Sequence, residues 1–134
     1  MGRADEVELM RKRAKVFLDT AKYLLQRGDY DVASFNAEQA TQLGLKSVLL
    51  LIVGDYPRTH SAIVLLNELE RVAGEGISKF VEENRLGLRS LEDSYLTSRY
   101  FYRSFEKEDA EYLISLTEKV MELCENVRRR MGKG

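Results

Sequence analysis

The chain has 134 residues, 21 of them basic and 22 acidic, for a formal net charge of −1. That length fits one domain, residues 1–134, with enough interior for a core, and the balanced charge carries no footprint of a nucleic-acid binder. A single cysteine and a single histidine exclude an internal disulfide and Cys- or His-rich zinc sites, so no metal or cofactor is expected.

Only one proline is present, and the abundant Leu, Glu, Lys, Arg and Ala all favour helix. The first ten residues, MGRADEVELM, lack the apolar core of a signal peptide. Glu6 stands where a myristoylation motif needs Ser or Thr, and a cytoplasmic location is the expectation. Helix one is predicted over 4–27, with Val7, Met10, Ala14, Phe17, Ala21 and Leu24 facing inward. Gly28 closes it, and a turn this short sets the next helix antiparallel.

Helix two is predicted over 29–53, with Asp29 as its cap. Ala33, Ala37, Ala40, Gly44 and Val48 recur at steps of three or four, beside a second row of Val32, Phe35, Leu43, Leu45, Leu49 and Ile52. Residues 48–53 are apolar all round, which marks the central helix of a bundle; the run is too short to cross a bilayer. Asn36, Gln39, Gln42 and Lys46 are polar groups on this helix that need partners if buried.

Gly54 ends helix two, and Thr59 is a plausible cap for helix three, which runs to about residue 73. Gly74-Glu75-Gly76 breaks it. No preceding strand and no following Lys-Ser or Lys-Thr make this a phosphate loop. A short helical piece covers 77–84, and Gly87 interrupts or kinks the chain. A fourth helix carries Leu88, Leu91, Tyr95, Arg99 and Tyr102 at helical spacing and ends in aromatic residues as far as Phe105. The last helix spans 107–131, acidic at its start and basic at its end, as the helix dipole favours. Its slot for Cys124 faces the core, where a thiol is inert. Nothing reads as a strand. The fold class is all-α, an antiparallel up-and-down four-helix bundle with short extra helical turns. The apolar surface of helix two and the aromatic end of the fourth helix together predict a homodimer.

Candidate binding residues are few. Gln39 and Lys46 lie two turns apart on one side of helix two. They either contact a ligand or partner, or the Lys46 stem covers apolar surface while its head reaches water. His60 begins helix three and serves as an acid, a base or an anion-binding group, or merely as a cap. Arg99 sits among Tyr95 and Tyr100, where a guanidinium binds phosphate or stacks on a base, or holds a carboxylate inside the bundle. Arg128, Arg129 and Arg130 are accounted for by the helix terminus.

The run GDYDVASFNAEQATQLGLKSVLL, followed by GDYPRTHSAIVLLNEL, resembles the signature of HEPN domains (higher eukaryotes and prokaryotes nucleotide-binding). The matching residues are Asp29, Tyr30, Ala33, Phe35, Gln39, Ala40, Lys46, His60, Leu65 and Leu66, then Ser98-Arg99-Tyr100; the likeness spans 17–127. In the catalytic HEPN branch an arginine is followed after four to six residues by a histidine, and the pair forms a ribonuclease site across a dimer. No histidine follows Arg99 or Arg103, so that role does not carry over. The resemblance implies instead the histidine-poor accessory subunit found beside minimal nucleotidyltransferases. Such a chain binds a nucleotide or other anionic ligand, or acts as toxin or antitoxin to its partner. The alternative is a divergent HEPN ribonuclease with altered active-site residues. By the family's packing, Lys46, His60 and Arg99 share one polar face.

Overall fold

The computed structural model describes residues 2–74, 76–100 and 105–132, the side chains of 95–100 and 132 excepted. Among the described residues there are six α-helices and no strands: α1 (Arg3–Arg27), α2 (Tyr30–Ile52), α3 (Ala62–Ala73), α4 (Ile77–Glu83), α5 (Arg85–Tyr100) and α6 (Lys107–Val127), which continues as a π-helical turn over Arg128–Gly132. The predicted all-α class holds.

The first turn sets the direction of the bundle. Gly28 adopts φ 89°, a left-handed conformation that costs glycine nothing. The Gly28 and Asp29 amides donate to the Leu25 and Leu24 carbonyls, so the free ends of α1 are satisfied while the chain reverses. Asp29 precedes α2 as predicted, but its side chain makes no capping bond; its Oδ2 accepts from Arg27 Nε at 2.9 Å instead.

Four helices make the bundle. Thr117 of α6 bonds Thr41 and the Ala37 carbonyl of α2, and Arg128 reaches Ser47. The two sets of numbers rise together, so α2 and α6 run parallel. Arg11 meets Glu125, and Lys22 meets Glu118, so α1 runs antiparallel to α6. Ser94 Oγ of α5 reaches the Ser34 carbonyl. This is up-down-up-down order with α2 and α6 on the short diagonal, and α3 and α4 filling the connection between α2 and α5. The diagonal closes because α2 presents Ala33, Ala37, Ala40 and Gly44, all buried. A Cβ on Gly44 would stand 2.7 Å from Met121 Sδ.

α2 is central as its pattern predicts. It packs most extensively on α1, then on α6, α5 and α3. Leu45, Val48 and Leu49 join Leu65, Leu66 and Leu69 of α3, with Leu116 and Val120 of α6, in the largest core cluster. Cys124 lies in the same cluster, where burial pushes its thiol up to about 12. The apolar surface of α2 that suggested a homodimer is thus largely covered within one chain.

Two further local expectations are corrected. The cap of α3 is Ser61, whose Oγ accepts from the Val64 amide at 3.1 Å; Thr59 Oγ1 accepts from the Ser61 amide and braces the cap. Gly87 does not interrupt the chain: α5 starts at Arg85 and passes through it. Its lack of a side chain makes room for Tyr112 of α6, whose ring and hydroxyl an added Cβ would strike. No helix among the described residues is long and apolar enough to cross a membrane.

Candidate functional site

Polar groups gather where α2, the cap of α3 and α5 meet. Glu38, Gln42 and Lys46 follow at intervals of four on α2, which places them along one side. Glu38 is 1% exposed and Gln42 5%. A carboxylate so deep needs partners, and it has an incomplete set. Gln39 Nε2 donates to Glu38 Oε1 at 2.8 Å. Gln42 Nε2 donates to the His60 carbonyl at 2.6 Å, tying α2 to the entrance of α3. Glu38 Oε2 and Gln42 Oε1 are both buried without a hydrogen bond.

Burial pushes the Glu38 carboxyl up to about 7, against the hydrogen bond of Gln39, the nearby Gln42 amide and the attraction of Lys46, with repulsion from Glu92 adding to the rise. Burial likewise pushes the Lys46 ammonium down, while Glu38 pulls it up. Lys46 Nζ lies 5.5 Å from the centre of the Tyr56 ring, and Arg58 Cζ lies 4.7 Å from the same ring. Glu92 of α5 adds a second carboxylate near enough to Glu38 to repel it. Its Oε2 accepts from Ser61 Oγ at 2.8 Å and from the Ile63 amide at 3.2 Å.

The fold therefore brings together three of the residues singled out in the sequence. Gln39 and Lys46 flank Glu38, and His60 joins through its carbonyl, with its side chain exposed at the entrance of α3. Tyr95, Arg99 and Tyr100 follow Ser94 on the last turns of α5, but their side chains lie outside the described residues. Sequence reasoning missed Glu38, Glu92, Tyr56 and Arg58, and gave Gln42 no role. The available signal was that Glu38 and Lys46 are the only charged residues of α2 after Asp31, eight positions apart on an otherwise core-like helix.

Chemically, the cluster offers two cations beside an aromatic ring, two unused buried acceptors, and a carboxyl poised to take or lose a proton near neutral pH. Among the described residues no group of three His, Cys, Asp or Glu side chains is arranged to hold a metal ion. A separate open groove of about 1040 Å³ runs between α1 and α6, crossed by the Arg11–Glu125 pair.

A family model described as HEPN domain matches residues 7–127. Comparison with curated proteins gives no match. Among solved structures, TT1696 from Thermus thermophilus superposes with a TM-score of 0.78 at 24% identity, over 90% of this chain and 97% of that one. ST0689, an archaeal HEPN homologue, gives 0.69 at 20% identity, over 90% and 95%. At these identities the two structures speak for the fold alone.

Proposed function

This chain belongs to the HEPN family, and from that premise we propose that it is a non-catalytic binding module, the accessory subunit of a minimal nucleotidyltransferase, with a nucleotide-type ligand as the group it takes. The observation that carries the ligand reading is the buried Glu38, whose Oε2 is unused, as is Oε1 of Gln42 one helical turn along α2, with Lys46 and Arg58 both close to the Tyr56 ring. A nucleotide offers a complement to each half. Its phosphates suit the ammonium and the guanidinium, and its hydroxyl or amino hydrogens suit the two acceptors.

The accessory role rests on the resemblance and on chemistry that is missing. Cleavage of RNA needs one group to accept the 2′-hydroxyl proton and another to protonate the leaving oxygen, together contributing about 10²–10⁴-fold. No histidine follows Arg99 or Arg103. A tyrosine, with its pKa near 10, is a poor replacement at neutral pH.

Titration calorimetry of the protein with ATP, and again with a co-expressed nucleotidyltransferase, tests the reading. Lys46→Ala, Arg58→Ala and Arg99→Ala are each expected to weaken nucleotide binding roughly tenfold, as loss of a charge-assisted contact does, while the melting temperature holds. Equal affinity in wild type and all three variants removes the site. Failure of the chain to co-purify with any nucleotidyltransferase from its native cell removes the accessory role.

A further inference from the structure

With α2 enclosed, the most exposed large apolar residue among the described ones lies on α5: Leu86, at 86%. A lone surface leucine is ordinary, but this one has unusual neighbours. Arg85 and Arg89 stand one turn apart on the same exposed side of the helix. Among the described residues neither of them makes an ion pair. Both lie at the start of α5, whose first turn carries no acidic residue. The helix dipole disfavours cations there, and like charges four residues apart repel. On the other flank of Leu86, Gly87 gives its space to the ring of Tyr112, which is 51% exposed. Read across the helix, the exposed strip is two unpaired guanidiniums, a leucine and a tyrosine ring. Its charges work against the helix that carries them.

We propose that this face of α5 is a docking surface for an acidic amphipathic helix of another protein, one that carries two carboxylates a turn apart beside an apolar row. A guanidinium pairs with a carboxylate through two parallel hydrogen bonds. Arg85 and Arg89 are separated by about 6 Å along α5, which is the spacing of acidic side chains at i and i+4 on a second helix. Leu86 and the Tyr112 ring then meet the apolar row of the partner. Arginine and tyrosine are the residue types that most often anchor such contacts. Other anionic partners fit less well. A leucine offers nothing to a phosphate backbone. A membrane surface or a nucleic acid spreads its charge widely. Glu82 and Glu83, just before the strip, and Asp93, just beyond it, are exposed carboxylates that repel a spread anion. A single helix places its carboxylates only where the arginines are. The strip shares no residue with the Glu38 cluster, so the proposal does not depend on the nucleotide reading.

The probe is a fluorescein-labelled, alanine-based helical peptide with glutamates at i and i+4 and leucines at i+3 and i+7, titrated with the full chain and read by anisotropy. Wild type is expected to bind it at least about tenfold more tightly than the same peptide with lysines in place of the glutamates. Leu86→Ser is expected to weaken binding roughly tenfold. Arg85→Glu combined with Arg89→Glu is expected to reverse the preference, so that the lysine peptide binds better, a result that misfolding does not imitate. Both variants are expected to melt no lower than wild type, because acidic residues suit the start of a helix and Leu86 is almost fully exposed. The absence of a preference in wild type, or one that the double variant leaves unreversed, overturns the proposal. Tighter binding to phosphatidylserine vesicles or to poly(U) than to the glutamate peptide also overturns it, because the face then serves a different class of partner. So does a change of mass on Leu86→Ser in sedimentation equilibrium, because a second copy then covers the strip. A lower melting temperature in the double variant assigns the arginines to the fold and counts against docking in the same way.

Discussion

Replacing Glu38 by glutamine should stabilise the protein at neutral and alkaline pH and leave it nearly unchanged in acid. Burial pushes the Glu38 carboxyl from an ordinary 4.5 up to about 7, so the folded state holds the proton more tightly than the unfolded chain does. The cost is absent below about pH 4.5, grows as pH rises towards 7, and is complete above it. A difference of about 2.5 pKa units corresponds to about 3 kcal/mol, a large share of the stability of a domain this size. Glutamine has nearly the same shape and carries no charge. It also puts an amide donor where Oε2 now lacks a partner, one helical turn from Gln42, whose side-chain oxygen lacks one too. Urea unfolding of both proteins, followed by far-UV circular dichroism from about pH 5 to about pH 8, isolates the effect, since every other group titrates in both and cancels. The variant should match wild type to within about 1 kcal/mol at the acid end and exceed it by about 2–3 kcal/mol at the alkaline end. A difference that stays flat across this range refutes the reasoning, because it would mean that Glu38 ionises as freely in the fold as in water.

Leu49→Asp buries a charge in the cluster shared by α2, α3 and α6 and should cost about 4 kcal/mol or more; a thermal melt equal to wild type would show that α2 is not central. Gly44→Leu should cost about 1–3 kcal/mol in urea unfolding, since even a Cβ there stands 2.7 Å from Met121 Sδ on the α2–α6 diagonal. Gly87→Ala should cost less than about 1 kcal/mol, because the ring it displaces belongs to Tyr112, half-exposed and able to swing outward; if the two glycine variants unfold at the same urea concentration, the diagonal is not the tighter contact. Ser61→Ala removes the acceptor for the Val64 amide and the hydroxyl that donates to Glu92. It should cost about 1–2 kcal/mol, whereas Thr59→Ala should cost less if Ser61 is the cap.

The helices were legible because their apolar residues keep time with the helical turn over long stretches. Ala33 to Gly44 could be recognised as a close-approach row from residue size alone, and the fold puts α6 against it. The errors fell where several polar residues compete for one role within a few positions. Thr59 and Ser61 both suit a cap, and the choice between them depends on where the loop from Gly54 arrives and on Glu92 waiting to accept the Ser61 hydroxyl. Asp29 suits a cap by type, yet Arg27 two residues earlier takes its carboxylate. Gly87 looked like a breaker because its reason for being small, the Tyr112 ring, comes from a helix beginning twenty residues later.

The site was less legible for a physical reason that also bears on what it is for. A glutamate on a helix surface is ordinarily solvated, and nothing within α2 says otherwise about Glu38; tertiary packing takes it out of water, with Glu92 of α5 close enough to repel it and the α3 cap tied to neighbouring Gln42. A group buried for stability alone is expected to have its hydrogen bonds complete. Glu38 and Gln42 each keep an unused acceptor, and burial disfavours the charged form of Glu38. Residues that lower stability in this way persist where function needs them. A structural role and a binding role therefore part on one variant. If Glu38→Gln is more stable above neutral pH and binds nucleotide as well as wild type, the carboxylate serves the fold alone. If it is more stable and binds more weakly, the lost stability is what keeps an acceptor ready for the ligand.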